Sequence, residues 1–262
     1  MAKGFGILII ALLCASCKTN LPTPKAVETN EPSFAYKQQM ENLEKGIYFR
    51  GSGNEPRWSL KISEKNIEFT SLKSGYESLS GHHTEPLLAM DANVKMYRVP
   101  ITDGTMIVQI MQQECINTMS GDKSSYSVRI EIVKDNKSEF FNGCGNYITD
   151  FRLHDIWVLE KINGENVTSA NYAKEIPNLE INSTTNTFMG SAGCNRVGGD
   201  IFFERGLLRF ININSTEMVC ADNNNEAVLL KTLQSTAKYK VENLRLILTN
   251  SLGNELIFKK VD

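Results

Sequence analysis

Sulfur is the element in this chain whose placement could do the most chemistry. There are six cysteines, and the four beyond the N-terminal region are Cys115, Cys144, Cys194 and Cys220. An even number in an exported chain suggests disulfides, and four thiols allow three connectivities. Sequence order favours Cys115 with Cys144 and Cys194 with Cys220, because each pair lies within one half of the chain. Closing loops of that length stabilises each half by roughly 3–4 kcal/mol in the chain-entropy description. Metal binding is the rival chemistry. No C-x-x-C occurs, and His82, His83 and His154 stand at no zinc-finger spacing from a cysteine. Side chains of adjacent strand residues diverge, so His82-His83 reads as an exposed loop pair rather than one metal site. No metal and no other cofactor is expected.

Other reactive groupings are thin. There is no G-x-S-x-G, no H-E-x-x-H and no Walker loop. The S-x-x-K pairs Ser120/Lys123 and Ser235/Lys238 lack the S-D-N and K-T-G companions of a β-lactamase site. Gly51-x-Gly53 lacks the third glycine and helix of a dinucleotide turn. Glu55 beside Pro56 has no partner carboxylate in its motif, and Glu180/Glu204 and Asp122/Glu131 read as solvated surface. The expectation is a protein that is not an enzyme.

The first residues carry an address. Lys3 precedes an apolar run from Phe5 to Leu13, and Ala15-Ser16 stands before Cys17. A charge, a short apolar stretch and small residues describe an export signal, and the run is too short to span a bilayer. Ala15-Ser16-Cys17 resembles a bacterial lipobox, with Cys14 where Leu is commonest. Cleavage would leave Cys17 to carry fatty chains such as palmitate. Several acyl chains on one cysteine hold a protein to a membrane. The alternative is a plain secretory signal ending near Ser16, with Cys17 a spare thiol. Lys18 after the cysteine favours the outer membrane. Residues 1–16 thus read as signal peptide, and 17–40 as lipidated cysteine and polar tether with Pro22, Pro24 and Pro32.

The remainder has the make-up of a folded protein. With 28 Lys and Arg against 30 Asp and Glu among 262 residues, the net charge of −2 argues against a nucleic-acid partner. Hydrophobic residues at 41% suffice for cores without suggesting a polytopic membrane chain. Residues 41–150 and 151–262 read as two small antiparallel β-rich domains, mainly β or α+β, the second with one packed helix. Tyr126 to Ile132 alternates apolar and polar, the signature of a strand with one buried face. Shorter strands are expected at 46–49, 58–62 and 66–69, after a short helix around Ala35 to Leu43. In the second half, Ile156 to Leu159 opens a strand set that closes with 239–241, 244–248 and 255–258. The helix runs from Asn225 to about Ser235, with Ala227, Leu229, Leu230 and Leu233 on one face.

Two motifs in the second half carry a resemblance. Met189 to Gly199 contains Gly193-Cys194-Asn195-Arg196, and Ser215 to Asp222 contains Thr216-x-Met218-x-Cys220. Together with Trp157-x-Leu159 and the terminal strands, the stretch from Asp155 to Lys260 resembles the META domain, the HslJ-like family. The resemblance implies a mainly antiparallel β fold with a packed helix, in a cell-envelope protein without established catalysis. Asn195 and Arg196 are candidate binding residues, the alternative being that Asn195 bonds the turn and Arg196 pairs across the domain. The first half resembles an uncharacterised lipoprotein-associated envelope domain, through Gly51-x-Gly53-Asn54-Glu55-Pro56-Arg57-Trp58, Cys115-x-x-x-Met119-Ser120 and Gly143-Cys144-Gly145. That family has Thr and Phe where this chain has Asn54 and Arg57, and the resemblance implies that its two cysteines pair. The functional expectation is a non-enzymatic envelope lipoprotein serving stress tolerance by binding an envelope protein or small ligand, with the membrane reached through its anchor. The alternative is an inhibitor of a periplasmic or host hydrolase such as lysozyme.

Overall fold

Alternating apolar positions become two curled antiparallel sheets, each wrapped around its own core. The computed structural model describes Met1 and residues 32–172, 174–220 and 225–261; Cys17, the export signal and most of the tether lie outside the described residues. Helix α1 (Phe34–Glu44) comes first, its N-terminus capped by Ser33, whose hydroxyl accepts from the Tyr36 N–H at 3.2 Å. Residues 34–40, placed with the tether on sequence, are therefore part of this helix.

Nine strands build the first sheet: β1 (Ile47–Asn54), β2 (Arg57–Ser63), β3 (Asn66–Ser71), β4 (Ser78–His82), β5 (Leu87–Leu88), β6 (Val94–Ile101), β7 (Gly104–Ile116), β8 (Lys123–Lys134) and β9 (Lys137–Tyr147). Their spatial order is β4-β3-β2-β1-β9-β8-β7-β6-β5. In β8 the residues Tyr126, Val128, Ile130 and Ile132 are buried while Arg129 faces solvent, as the alternation predicts. Asp135 and Asn136, both at positive φ, make the two-residue turn that returns β8 into β9. The sheet rolls until β4 meets β6, where Gly81 lies against the backbone of Pro100. His82 therefore ends a strand instead of sitting in a loop, and the adjacent His83 is bonded to the Tyr48 hydroxyl at 2.8 Å.

The second sheet comprises β10 (Asp155–Ile162), β11 (Glu165–Asn166), β12 (Asn178–Asn182), β13 (Thr187–Ser191), β14 (Arg196–Glu204), β15 (Leu207–Ser215), β16 (Thr236–Glu242), β17 (Arg245–Asn250) and β18 (Glu255–Val261). The order is β15-β14-β13-β12-β10-β18-β17-β16, with β11 paired to β10. Helix α2 (Glu226–Gln234) buries Leu229 and Leu233 in the core shared by Trp157, Leu179, Phe210 and Phe258. Among the described residues no helix is long and apolar enough to cross a membrane.

Both sheets belong to one compact unit, Ser33–Asp262. The link is the β14–β15 hairpin. Successive side chains of a strand point to opposite faces, and here Phe202 joins the core of the first half-barrel while Phe203 packs against both. Helix α1 adds a second tie. The Gln39 amide donates to the carbonyls of Thr149 and Ser183, the second at 3.2 Å, and accepts from the Ser183 hydroxyl at 3.0 Å.

Candidate functional site

One rim of the first half-barrel gathers motif residues that lie far apart in sequence. The disulfide Cys115–Cys144 fastens the end of β7 to β9. The β1–β2 turn, with its cis Glu55–Pro56 bond, sits beside the β7–β8 turn. Asn54 donates from Nδ2 to Asn117 Oδ1 at 2.7 Å, and that oxygen also accepts from the backbone N–H groups of Met119 and Ser120. One amide oxygen thus orders a whole turn. Trp58 is buried below and donates from Nε1 to the Asn142 carbonyl at 3.2 Å. Position 53 must be glycine, because a Cβ there would collide with the Trp58 indole and the Asn142 carbonyl. A cavity of about 460 Å³ opens here, lined by Asn54, Glu55, Asn117, Arg129 and the bridge. Ile116 and Met119 are exposed at the hairpin tip.

In the second half-barrel, Asn195 explains why the two motifs belong together. The bridge Cys194–Cys220 ties the β13–β14 turn to the segment after β15. The Asn195 side chain is buried beside it. Its Oδ1 accepts from the Met218 N–H at 2.7 Å and from the Thr216 hydroxyl at 2.9 Å. Its Nδ2 donates to Glu226 Oε2 at 3.3 Å. The asparagine therefore stitches β14 to Thr216-x-Met218-x-Cys220 and to the start of α2. Arg196 is exposed, with no ion pair among the described residues, so the expected pairing across the domain does not form. It lines a shallow groove with Glu180, Met189 and Asn214.

Among the described residues, Cys194, Cys220 and Glu226 are the three groups near enough to one another to hold a cation, but the two sulfurs are bonded to each other. Gly193, at φ 107°, presses its bare Cα face on the Tyr172 ring, where a Cβ would clash. The buried Tyr172 hydroxyl has no hydrogen-bond partner among the described residues, and burial pushes its pKa up to about 12.

The third polar cluster lies where the half-barrels meet, and it corrects the reading of Glu204 as solvated surface. This residue is only 9% exposed. Its carboxylate accepts from the Tyr126 hydroxyl, from Asn93 Nδ2 at 2.7 Å and from Lys95 Nζ at 3.2 Å. Burial alone would raise its pKa, but these bonds and the Lys95 charge together hold it below the ordinary glutamate value. Arg205, next in the turn, stacks its guanidinium over the Tyr48 ring at 4.9 Å and pairs with Glu64 at 3.2 Å. Burial raises the pKa values of Tyr126, Tyr147 and Tyr48, so these phenols stay neutral. The cluster is a lock between halves. Sequence reasoning missed it, although Phe202-Phe203-Glu204-Arg205 carried a signal in two adjacent aromatics, which a strand must send to opposite faces.

Trp58 and Trp157 are both core residues. Of the sequence-derived site residues, the four paired cysteines and Asn195 lie in ordered corners, while Cys17 is outside the described region.

No curated protein matches the chain. One similar solved structure, known as an NMR structure of a protein, is 27% identical and covers 41% of this chain and 90% of its own, with a TM-score of 0.34. Another, an NMR structure of a protein from Burkholderia xenovorans, is 22% identical over 41% of this chain and 82% of its own, with a TM-score of 0.35. The model of the META domain matches residues 149–262, which takes in the whole second half-barrel, the Cys194–Cys220 bridge and the Asn195 corner.

Proposed function

We propose that this chain is a non-enzymatic lipoprotein of the bacterial cell envelope, anchored through Cys17, which serves envelope stress tolerance by binding a protein or small ligand. The observation that carries the reading is the tied rim of the first half-barrel. There Cys115–Cys144 and the Asn54–Asn117 bond fix a long hairpin whose tip exposes Ile116 and Met119. A loop ordered before binding loses less entropy on contact, and exposed apolar side chains on such a loop suit a protein partner. The META match supports an envelope setting, and the lipobox-like Ala15-Ser16-Cys17 supports an anchor.

The test is crosslinking in intact envelopes followed by co-purification of the wild-type chain, of Cys17→Ala, and of Ile116→Asp/Met119→Asp. The reading expects a discrete partner that is lost with either variant. Partners unchanged in both variants, or a turnover activity in the purified protein abolished by a single side-chain change, would overturn it. The same rigid tip favours a second reading, an inhibitor that seats the hairpin in a hydrolase cleft. An assay against lysozyme with micromolar protein decides that case: inhibition lost in the tip variant supports it, and no inhibition removes that target.

A further inference from the structure

A cleft of about 680 Å³ opens at the junction of the half-barrels. Helix α1 contributes Gln38, the first half-barrel Arg50 and Asn146, and the second Asn186, Asp200 and Asn212. Amide, hydroxyl and charged groups make up most of its lining, beside Ile148, Ile201, Phe202 and Ile211, a more polar wall than that of the apolar pockets that take most small ligands.

Two of these groups, Asn212 and Asn186, are pinned by one side of their hydrogen-bonding capacity and leave the other open. Asn212 donates from Nδ2 to Asp200 Oδ2 at 2.8 Å, and its side-chain carbonyl oxygen meets no donor among the described residues. Asn186 accepts from the Thr149 hydroxyl at 2.6 Å, and its NH₂ meets no acceptor among them. Asn146 is held on both sides, by Ser125 N–H at 2.8 Å and Ser124 Oγ at 3.1 Å, and forms a fixed wall. Fixed amides offering a donor here and an acceptor there suit vicinal hydroxyls, each of which donates and accepts.

Charge supplies the second constraint. Lys123 at the cleft edge is paired with Glu114 at 3.3 Å, and the Asp200 carboxylate is engaged by Asn212. Arg50 is half-buried on β1 and has no carboxylate partner among the described residues. A guanidinium forks a carboxylate with two parallel hydrogen bonds. A neutral sugar would leave it unpaired.

We infer that this cleft binds a short, carboxylate-bearing oligosaccharide, with Arg50 taking the carboxylate and Asn186 and Asn212 reading ring hydroxyls. The inference does not rest on the envelope reading, because it is made and tested on the isolated protein.

The test is calorimetric titration of the full chain, in detergent, with a hexamer of galacturonic acid, a neutral maltohexaose and a hexamer of glutamic acid. The expected result is saturable binding of the galacturonate hexamer, at least about tenfold tighter than either of the others. Arg50→Ala should weaken it by about tenfold or more with an unchanged melting temperature, and Asn186→Ala/Asn212→Ala should weaken the uronate and lower its preference over glutamate. No binding of the uronate at millimolar concentration overturns the inference. So does equal binding by Arg50→Ala, or glutamate bound as tightly as uronate, which would reduce the site to charge alone.

Discussion

The Tyr126 phenol in β8 donates its hydrogen to the Glu204 carboxylate in β14, across the boundary between the two cores. The same carboxylate takes Asn93 and Lys95 from the first half-barrel, so one side chain of the second half satisfies three donors of the first.

Removing that acceptor leaves a largely buried lysine and a buried phenol without their partner. Glu204→Ala should therefore destabilise the protein by about 2–4 kcal/mol, the range for breaking a buried charged pair. Urea denaturation checks it. In the wild type both halves should unfold in one transition, reported alike by Trp58 and Trp157. In the variant the two tryptophan signals should separate.

The same site sets a pH dependence. Its hydrogen bonds and the Lys95 charge hold the folded-state pKa of Glu204 below the ordinary 4.5. A depressed carboxylate contributes stability that is complete above the unfolded value and is lost as pH falls through the lower folded one. The wild-type melting temperature should thus fall more steeply than that of Glu204→Gln as the solution is acidified below about pH 4.5, while above it the difference stays constant. Thermal melts of both proteins across that window measure it.

Asn195 should be a costly polar residue to lose from the second half-barrel. It accepts from Met218 N–H and Thr216 Oγ and donates toward Glu226. Asn195→Ala strands a buried backbone N–H and is expected to cost about 2–3 kcal/mol. Asn195→Asp, which keeps the accepting oxygen but sets a charge beside Glu226, should also destabilise, and its deficit should shrink at acid pH. Chemical denaturation of the two variants at neutral and acid pH distinguishes them.

Tyr172→Phe should go the other way. Its hydroxyl is buried without a hydrogen-bond partner among the described residues, so deleting the oxygen removes an unmet desolvation cost. Stability should be unchanged or higher by about 1 kcal/mol, with the ring still packed on Gly193. A melting temperature below that of the wild type would show that the hydroxyl is satisfied in solution.

Strands whose apolar residues alternate were legible from sequence, because one solvated face leaves the pattern intact. Tyr126 to Ile132 lies inside β8, 239–241 and 255–258 lie inside β16 and β18, and 244–248 falls in β17 except for Leu244, which belongs to the turn before it. Leu229 and Leu233 likewise announced α2 through their spacing. Long-range closure was not legible. Nothing local in Phe202-Phe203-Glu204-Arg205 says that a neighbouring half-barrel awaits the first aromatic, and a glutamate beside an arginine reads as surface wherever its neighbours are unknown. Asn54 and Asn117 are in the same position: their bond exists only because β1 and β7 end at one rim. The disulfides were an intermediate case, since order along the chain favoured the pairings that formed, while their place beside the motif turns needed the fold.

The proposal of an acylated Cys17 beside two disulfides is tested most directly by intact-mass and peptide mass spectrometry of native material. It predicts a chain beginning at an acylated Cys17, with Cys115 linked to Cys144 and Cys194 to Cys220. A leader still attached or an unmodified N-terminus, with four free sulfhydryls, would contradict it.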